Sequence, residues 1–231
     1  MTAYYNEIDP YAAQWLRNLI AAGHIAPGDV DQRSILEVKP DDLKGYTQCH
    51  FFAGIGGWSY ALRLAGWPDD RPVWTGSCPC QPFSSASAGR GLRRDDDRHF
   101  WPIWKALIVE CEPCTVFGEQ TSAAGDWFDE VCDDLEGMGY AIGASVLPAA
   151  SVGFDHARAR LYFVGYSNSD SKSRCSIYAK APRVPRHRGI AAELACEDGL
   201  SRGVGAMRAY GNAIVPQVAE AFIRASACSL T

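Results

Sequence analysis

Short apolar runs alternate with longer amphipathic stretches along this chain, the rhythm of an α/β domain built around a mainly parallel sheet. Tyr4 to Ile8 reads as a short strand. Asp9 and Pro10 then offer an N-cap and a first-turn proline for a helix to about Ala22, with Trp15, Leu16, Leu19 and Ile20 on its buried face. The segment Ala26 to Val30 turns into a second short strand. Thr47 to Phe52 forms a third, which ends in the glycine turn Gly54-Ile55-Gly56-Gly57 and leads into a helix over Trp58 to Ala65. Val73 to Thr75 is a brief strand before Cys78 to Phe83, and a polar, glycine-containing loop follows from Ser84 to about Arg98. The pattern then predicts a helix over Pro102 to Glu110, a strand over Thr115 to Phe117 and a helix over Asp126 to Met138. Strands over Tyr140 to Leu147 and Leu161 to Gly165 come next, and a closing helix spans Ala213 to Ala227. From Tyr166 to about Gly205 the periodicity disappears and serine, arginine and proline dominate, as in a loop, a linker or a reduced small domain. No internal repeat is visible.

With 231 residues and 47% apolar side chains, the chain can bury one sizeable core and has room for only a modest appendage. No stretch approaches the roughly 18 consecutive apolar residues that span a bilayer, and the N-terminus lacks a secretory pattern, so a soluble protein away from membranes is expected. Nine cysteines are then expected as thiols in a reducing compartment, available for packing, metal binding or nucleophilic chemistry. The net charge of −5 argues against a uniformly basic nucleic-acid binder. Charge is uneven, however. Between Ser171 and Ala192 lie Lys172, Arg174, Lys180, Arg183, Arg186 and Arg188 with no acid, which reads either as a local phosphate contact or as a solvated loop.

Two segments carry candidate chemistry. The glycine turn after Phe51 and Phe52 would let a nucleotide-like ligand approach the backbone and a helix N-terminus, though a simple tight turn has the same composition. It is not the dinucleotide fingerprint, because Ser59 stands where a third glycine belongs. In Pro79-Cys80-Gln81-Pro82-Phe83-Ser84, two prolines bracket a cysteine, remove two amide donors and stiffen the backbone. That suits presentation of a thiol at a strand end, and equally a proline-rich turn with an inert cysteine. A competing metal or redox reading would use Cys78, Cys80, Cys111 and Cys114, of which the last two have ligand-like spacing.

Taken together, the motifs resemble those of the DNA (cytosine-5) methyltransferase family. Phe52-Ala53-Gly54-Ile55-Gly56-Gly57 is similar to the family's cofactor motif and Pro79 to Ser84 to its nucleophile motif. Gly118-Glu119-Gln120 is similar to the Glu-Asn-Val segment, and His156-Ala157-Arg158-Ala159-Arg160 to the Gln-x-Arg-x-Arg segment. Gly211-Asn212-Ala213-Ile214-Val215-Pro216-Gln217-Val218-Ala219 is similar to the closing helix motif. They stand in the family's order over most of 47 to 165 and the last 20 residues.

The resemblance implies a Rossmann-like, S-adenosylmethionine-dependent domain with helices on both faces of the sheet. In it Cys80 attacks cytosine C6, Glu119 pairs with N3 and the exocyclic amine, and Arg158 and Arg160 hold the O2 side or nearby phosphates. Phe52, Ala53, Gly54, Ile55, Gly57, Pro79 and Asn212 are implied cofactor contacts. Gln81, Ser84, Ser87 and Arg98 are implied contacts to double-stranded DNA, whose target base has to be flipped out. A monomer with no metal is expected, in the cytoplasm of a bacterium or phage-infected host, and the small size suits an enzyme that marks DNA against restriction.

The chain departs from the family in several places. Only 24 residues separate Gly54 from Pro79, too few for the two further strand-helix units that the family normally inserts there. Their counterparts stand upstream. Asn6 to Ala12 is similar to the ribose-binding segment and Gly28-Asp29-Val30 to the adenine-binding one, which implies roles for Glu7, Ile8 and Asp29. A permuted order is therefore expected, with the glycine-turn strand third in sequence yet lying between the ribose strand and the nucleophile strand. His50, Gln120 and His156 replace the family's usual acid, asparagine and glutamine. The expected division is a catalytic domain over 1 to 165, a shortened target-recognition region or linker over 166 to 205, and a closing helix over 206 to 231 that packs back. A truncated relative without turnover and an RNA cytosine-5 methyltransferase remain the alternatives.

Overall fold

The computed structural model describes residues 2–79, 100–155, 158–167 and 213–228. Its elements run β1 (Thr2–Asn6), α1 (Pro10–Ala21), β2 (Gly28–Asp31), β3 (Tyr46–Phe51), α2 (Gly57–Leu64), β4 (Val73–Gly76) and α3 (Trp101–Cys111). They continue with β5 (Thr115–Thr121), α4 (Gly125–Gly137), β6 (Tyr140–Leu147), β7 (Arg160–Ser167) and α5 (Pro216–Cys228). These match the predicted elements to within a few residues. The 3₁₀ turns at Ile35–Glu37, Pro40–Leu43 and Ala149–Val152 are additions that the pattern did not reveal.

Seven strands form one sheet in the order β2-β1-β3-β4-β5-β7-β6, in which β7 runs antiparallel to both of its neighbours. The expected permutation is present. The glycine-turn strand β3, third in sequence, pairs with β1 on one side and β4 on the other. Because strand side chains alternate, the register sorts them onto two faces. Tyr5, His50, Thr75 and Phe117 share one face, and Tyr4, Cys49, Trp74 and Val116 the other.

Both faces are covered. On the first, Leu16 of α1 packs with Tyr5, Trp58 of α2 stacks on Phe117 at 5.9 Å between centroids, and Phe222 of α5 meets Phe117 edge-on. On the second, Trp104 of α3 packs on Phe51, Trp127 of α4 packs edge-on against Phe163, and Ile35 and Leu43 join from the 3₁₀ turns.

This placement has a topological consequence. The crossovers β3-α2-β4 and β4-α3-β5 step one strand in the same direction, yet α2 and α3 lie on opposite faces, so their hands are opposite. β1-α1-β2 steps the other way with α1 on the α2 face and shares the hand of the α3 crossover. Parallel crossovers are right-handed in about 98% of cases, which makes β3-α2-β4 the left-handed exception. Moving the glycine-turn strand to third place while α2 stays beside α1 requires that hand.

Local chemistry explains the helix starts. The Asp9 carboxylate caps α1 by accepting from the amides of Tyr11 and Ala12, as expected. α1 buries Ala12, Ala13 and Leu16 most fully, with Trp15 half-buried and stacked on Tyr11. Before α2 the chain turns through left-handed backbone at Phe52 (φ 50°), Gly54 (55°) and Gly56 (84°). A Cβ at Gly56 would come within 3.2–3.4 Å of Leu16, Leu19 and Ile25, so only glycine fits both the dihedral and the space.

Gly118 is tighter still, since a Cβ there would lie 2.1 Å from the Phe163 ring. Gly118→Ala should therefore cost about 1–3 kcal/mol, read as a melting temperature lower by roughly 2–12 °C for a chain of this size. An unchanged melting temperature would show that the β5–β7 packing is looser than described.

Cys49, Cys78, Cys111 and Cys132 are free thiols, but Cys114 is disulfide-bonded, contrary to the expectation that all cysteines stay reduced. Among the described residues no helix is long and apolar enough to cross a membrane.

Candidate active site

A cleft of about 670 Å³ opens at the carboxyl ends of β1, β3, β4 and β5, where parallel sheets of this kind place their ligands. Asn6, Glu7 and Ile8 enter it from the end of β1, Phe52 and Gly54 from the glycine turn, and Ser77, Cys78 and Pro79 from the end of β4. Glu119, Gln120 and Thr121 come from β5, Arg158 from the approach to β7, Arg160 from its first position, and Ala213 from the turn before α5. Ser34, Ile35 and Phe100 complete the wall. The sequence motifs, far apart in the chain, thus converge on one space.

Glu7 ties two of them together. One carboxylate oxygen accepts from the Gly54 amide at 2.7 Å and the other from the Asp9 amide at 2.8 Å. Burial pushes this carboxyl above the usual range, and the two amides pull it back down. Ala53 N donates to Asn6 O at 3.0 Å, which fastens the glycine turn to the β1 end a second time. Gly54 has open space where a Cβ would stand. Ala53 is turned into the core beside Leu16, and Gly57 backs onto Ile214, whose side chain a Cβ would meet at 2.6 Å. Ile55 lies between them in the turn, and Ile8 is 65% exposed at the cleft.

At the opposite wall Glu119 is only 7% exposed, and its Oε1 forms an ion pair with Arg160 Nε at 3.1 Å. Burial raises the Glu119 carboxyl, while Arg160, the Ser77 hydroxyl and Arg158 oppose the rise. Arg158 has φ 24° and donates to Ala213 O at 2.7 Å, so it ties the entry to β7 to the turn before α5. Gln120 departs from the family's asparagine, and its longer side chain reaches across to β4. Nε2 donates to Cys78 O at 3.2 Å while Oε1 accepts from Thr121 N. The backbone two residues before Cys80 is thereby fixed. His50, in place of the family's acid, is fully buried with Nδ1 on Thr75 Oγ1 at 2.8 Å, and burial pushes it down to about 3. The position therefore holds a neutral ring, stacked on Tyr5, beneath the glycine turn.

Not every expected residue joins the cleft. Asp29 lies two positions short of the end of β2 and lines a separate polar depression with Tyr4, Arg17, Asp31, Arg33 and Tyr46, where its carboxylate accepts from the Tyr46 hydroxyl at 2.8 Å. Cys80, Gln81, Ser84, Ser87, Arg98, His156 and Asn212 lie outside the described residues, although Cys80 directly follows the cleft-lining Pro79 and Asn212 directly precedes Ala213. Cys78 is buried, and burial pushes its thiol far up, which leaves it inert. Among the described residues no group of His, Cys, Asp or Glu could hold a metal ion. Cys78 follows the carboxyl end of β4 whereas Cys111 ends α3 shortly before the amino end of β5, so the two lie toward opposite ends of the strands.

Ser77, Ser34, Ile35 and Phe100, which line the cleft, were missed from sequence. The available signal was position, since Ser77 immediately follows β4 and Ser34 and Ile35 follow β2 closely, at the sheet edge where ligands bind.

Type II methyltransferase M.NgoBI of Neisseria gonorrhoeae is 30% identical over 105 residues, which cover 43% of this chain and 33% of that protein. Solved structures with similar backbones include a DNMT2 mutant of Spodoptera frugiperda (TM-score 0.49, 16% identity, 73% of this chain and 43% of that one). The Entamoeba histolytica methyltransferase EhMeth is another (TM-score 0.48, 13% identity, 73% and 46%). The chain thus spans about a third of the curated relative and less than half of these structures. The family model described as C-5 cytosine-specific DNA methylase matches residues 68–201, more than half of the chain. With the motifs gathered at one cleft and that match over most of its second half, this chain belongs to the C-5 cytosine-specific DNA methylase family.

Proposed function

We propose that the protein transfers a methyl group from S-adenosylmethionine to C5 of a cytosine flipped out of double-stranded DNA, with Cys80 as the nucleophile. The observation that carries this reading is the convergence of Glu7 and Gly54 on one side of the cleft with Pro79 and Glu119 on the other.

The residues present fit the cofactor. Glu7 is a half-buried acceptor suited to a ribose diol, the Gly54 position is open for close approach, and Ile8, Ser34, Ile35 and Phe52 supply apolar surface beside polar groups for a flat base. When bound, S-adenosylmethionine supplies an electrophilic sulfonium methyl. Asp29, turned away toward Tyr46, takes no part in this proposal.

Cytosine C5 is a poor nucleophile. Addition of the Cys80 thiolate to C6 forms an S–C6 bond and pushes the electron pair of the C5–C6 double bond toward C5, while N3 takes a proton from Glu119. C5 can then accept the methyl group. Loss of the C5 proton, cleavage of the S–C6 bond and return of the N3 proton restore the ring. Arg160 lies 3.1 Å from the Glu119 carboxylate and Gln120 holds the Cys78 carbonyl, which supports a catalytic wall organised before substrate arrives.

The direct test is transfer of labelled methyl to duplex DNA, to single strands and to RNA of the same sequence. The reading requires label at cytosine C5 in DNA above that in RNA. Incorporation into RNA alone would move the substrate assignment. The reordered half-site has its own test. Glu7→Ala should weaken S-adenosylmethionine binding by about ten- to a hundredfold, the worth of hydrogen bonds to a charged group, when measured by calorimetry without DNA. Unchanged affinity would remove Glu7 from the cofactor site.

A further inference from the structure

We infer that Asn6 is a positioning residue that sets the span of the cofactor half of the cleft, because it fastens both the loop after β2 and the glycine turn to the end of β1. This rests on the reading of that half as the S-adenosylmethionine site, in which Glu7 and Ile8 of the same segment have roles and Asn6 has none.

Asn6 is the last residue of β1 and is only 3% exposed. It makes two unlike contacts. Its main-chain oxygen accepts from the Ala53 amide at 3.0 Å, which holds the glycine turn. Its side-chain Nδ2 donates to the Arg33 carbonyl at 2.9 Å, which holds the loop after β2. A carbonyl can only accept, so the nitrogen of the side-chain amide has to face Arg33. Neither an ionised aspartate nor an apolar residue of similar size can take its place, since neither donates.

The loop that Asn6 holds is closed on itself. β1 and β2 pair as far as Asn6 and Asp31, and the Glu7 amide adds a bond to Asp31 O at 3.0 Å. Past Asp31 the chain turns. The Asp31 carboxylate accepts from the Arg33 amide at 2.9 Å, from Arg33 Nε at 3.1 Å and from the Tyr4 hydroxyl at 2.7 Å. The next residues, Ser34 and Ile35, line the cleft, as Gly54 does on the glycine turn. Asn6 is thus bonded to the residue before each wall, to Arg33 before Ser34 and to Ala53 before Gly54. The distance between those walls is the width open to a nucleoside. Removal of the side-chain amide leaves the Arg33 carbonyl without this donor and frees one wall, while the main-chain bond to the other remains.

The test is binding of S-adenosylmethionine and of 5′-methylthioadenosine, which lacks the amino-acid end, to full-length Asn6→Leu, Asn6→Asp and Asn6→Ala. Methyl transfer to duplex DNA at saturating cofactor and the melting temperature are measured alongside. Asn6→Leu should weaken S-adenosylmethionine by about tenfold, the scale for a buried carbonyl that loses its donor. It should weaken 5′-methylthioadenosine by the same factor, because the freed wall faces the nucleoside. Asn6→Asp, equal in size but without the donor, should match Asn6→Leu rather than the wild type for this uncharged ligand. Transfer at saturating cofactor should stay within about twofold, the pattern of lost binding rather than lost chemistry.

Native affinity in Asn6→Leu and Asn6→Asp, a loss confined to S-adenosylmethionine, or a loss seen in kcat rather than in affinity would each overturn the role. Failure of all three variants to fold would do the same and reduce Asn6 to a residue of the fold. A wild-type protein that binds neither ligand rejects the cofactor reading beneath it, whereas wild-type binding with unmoved variants rejects the role of Asn6 alone.

Discussion

Cys80→Ser is expected to lower methyl transfer by about 10⁴-fold or more, the scale of loss when the nucleophile of a covalent mechanism is removed. A serine hydroxyl is far less acidic than a thiol, so almost none of it is ionised near neutral pH and the S–C6 bond has no counterpart of similar ease. Cofactor affinity should be preserved, because the groups proposed to hold the cofactor follow β1 and β2 or lie on the glycine turn. Duplex DNA that carries 5-fluorocytosine adds a second readout. Fluorine at C5 cannot leave as a proton, so the wild-type protein should be trapped on it in a complex that survives denaturation, and Cys80→Ser should not. Label transferred equally by both proteins would remove Cys80 as nucleophile. The neighbouring Cys78 makes a sharp control. Its thiol is buried and pushed far up by burial, and its carbonyl rather than its sulfur is engaged by Gln120, so Cys78→Ala should leave the trapping intact.

Glu119→Gln should cost about 10²–10⁴-fold in kcat, the usual contribution of a positioned general acid. Glutamine can still donate a hydrogen bond to N3, but it cannot deliver a proton. The sign of the pH dependence follows from the environment. Burial is the largest influence on Glu119 and raises its pKa, against the opposing pull of Arg160, Ser77 and Arg158. The carboxyl therefore keeps its proton to higher pH than a free glutamate, and transfer should fall as pH rises through that raised value. Glu119→Gln should lack this limb and show a low, flat rate across the same range. A wild-type profile with no alkaline limb from Glu119, together with near-native activity in Glu119→Gln, would mean that N3 is protonated from elsewhere.

Much of the fold is legible in the sequence. β6 spans Tyr140–Leu147 as predicted, and α4 and β3 lie within one residue of expectation, because strand and helix periodicities are local properties of the pattern. β5 proved longer than its apolar core suggested, running on to Thr121. Its last polar residues, Glu119 and Gln120, look like loop in sequence and are strand in the protein, held by pairing with β7. The buried face of α1 was also misjudged in detail. Ala12 and Ala13 face inward because small residues let the helix lie close to the sheet, and the larger Trp15 is only half-buried.

The candidate site was legible where a motif carries chemistry in its own residue types, as at Glu7, Gly54, Pro79, Glu119 and Arg160. It was not legible where a residue acts through another. Nothing in the sequence shows that the Asn6 side chain reaches the loop after β2, or distinguishes Gln120 from a conservative replacement of asparagine. Only the 2.9 Å contact to the Arg33 carbonyl and the 3.2 Å contact to the Cys78 carbonyl give them roles. Asp29 shows the converse. Its segment resembles an adenine-binding one, yet the strand places the carboxylate against Tyr46, outside the cleft.

The sequence by itself determined the alternation of strands and helices, the identity of the motifs and the reordering that puts Glu7 before the glycine turn. Each of these is written in spacing and residue type over a few tens of positions. The tertiary structure decided that α2 crosses with the uncommon hand and that Glu7 and Glu119 border one cleft. The physical reason is that the face each helix covers is set by how aromatic side chains such as Phe117, Trp58 and Phe222 pack across the sheet. That packing is a sum over contacts between distant segments, which no local pattern encodes.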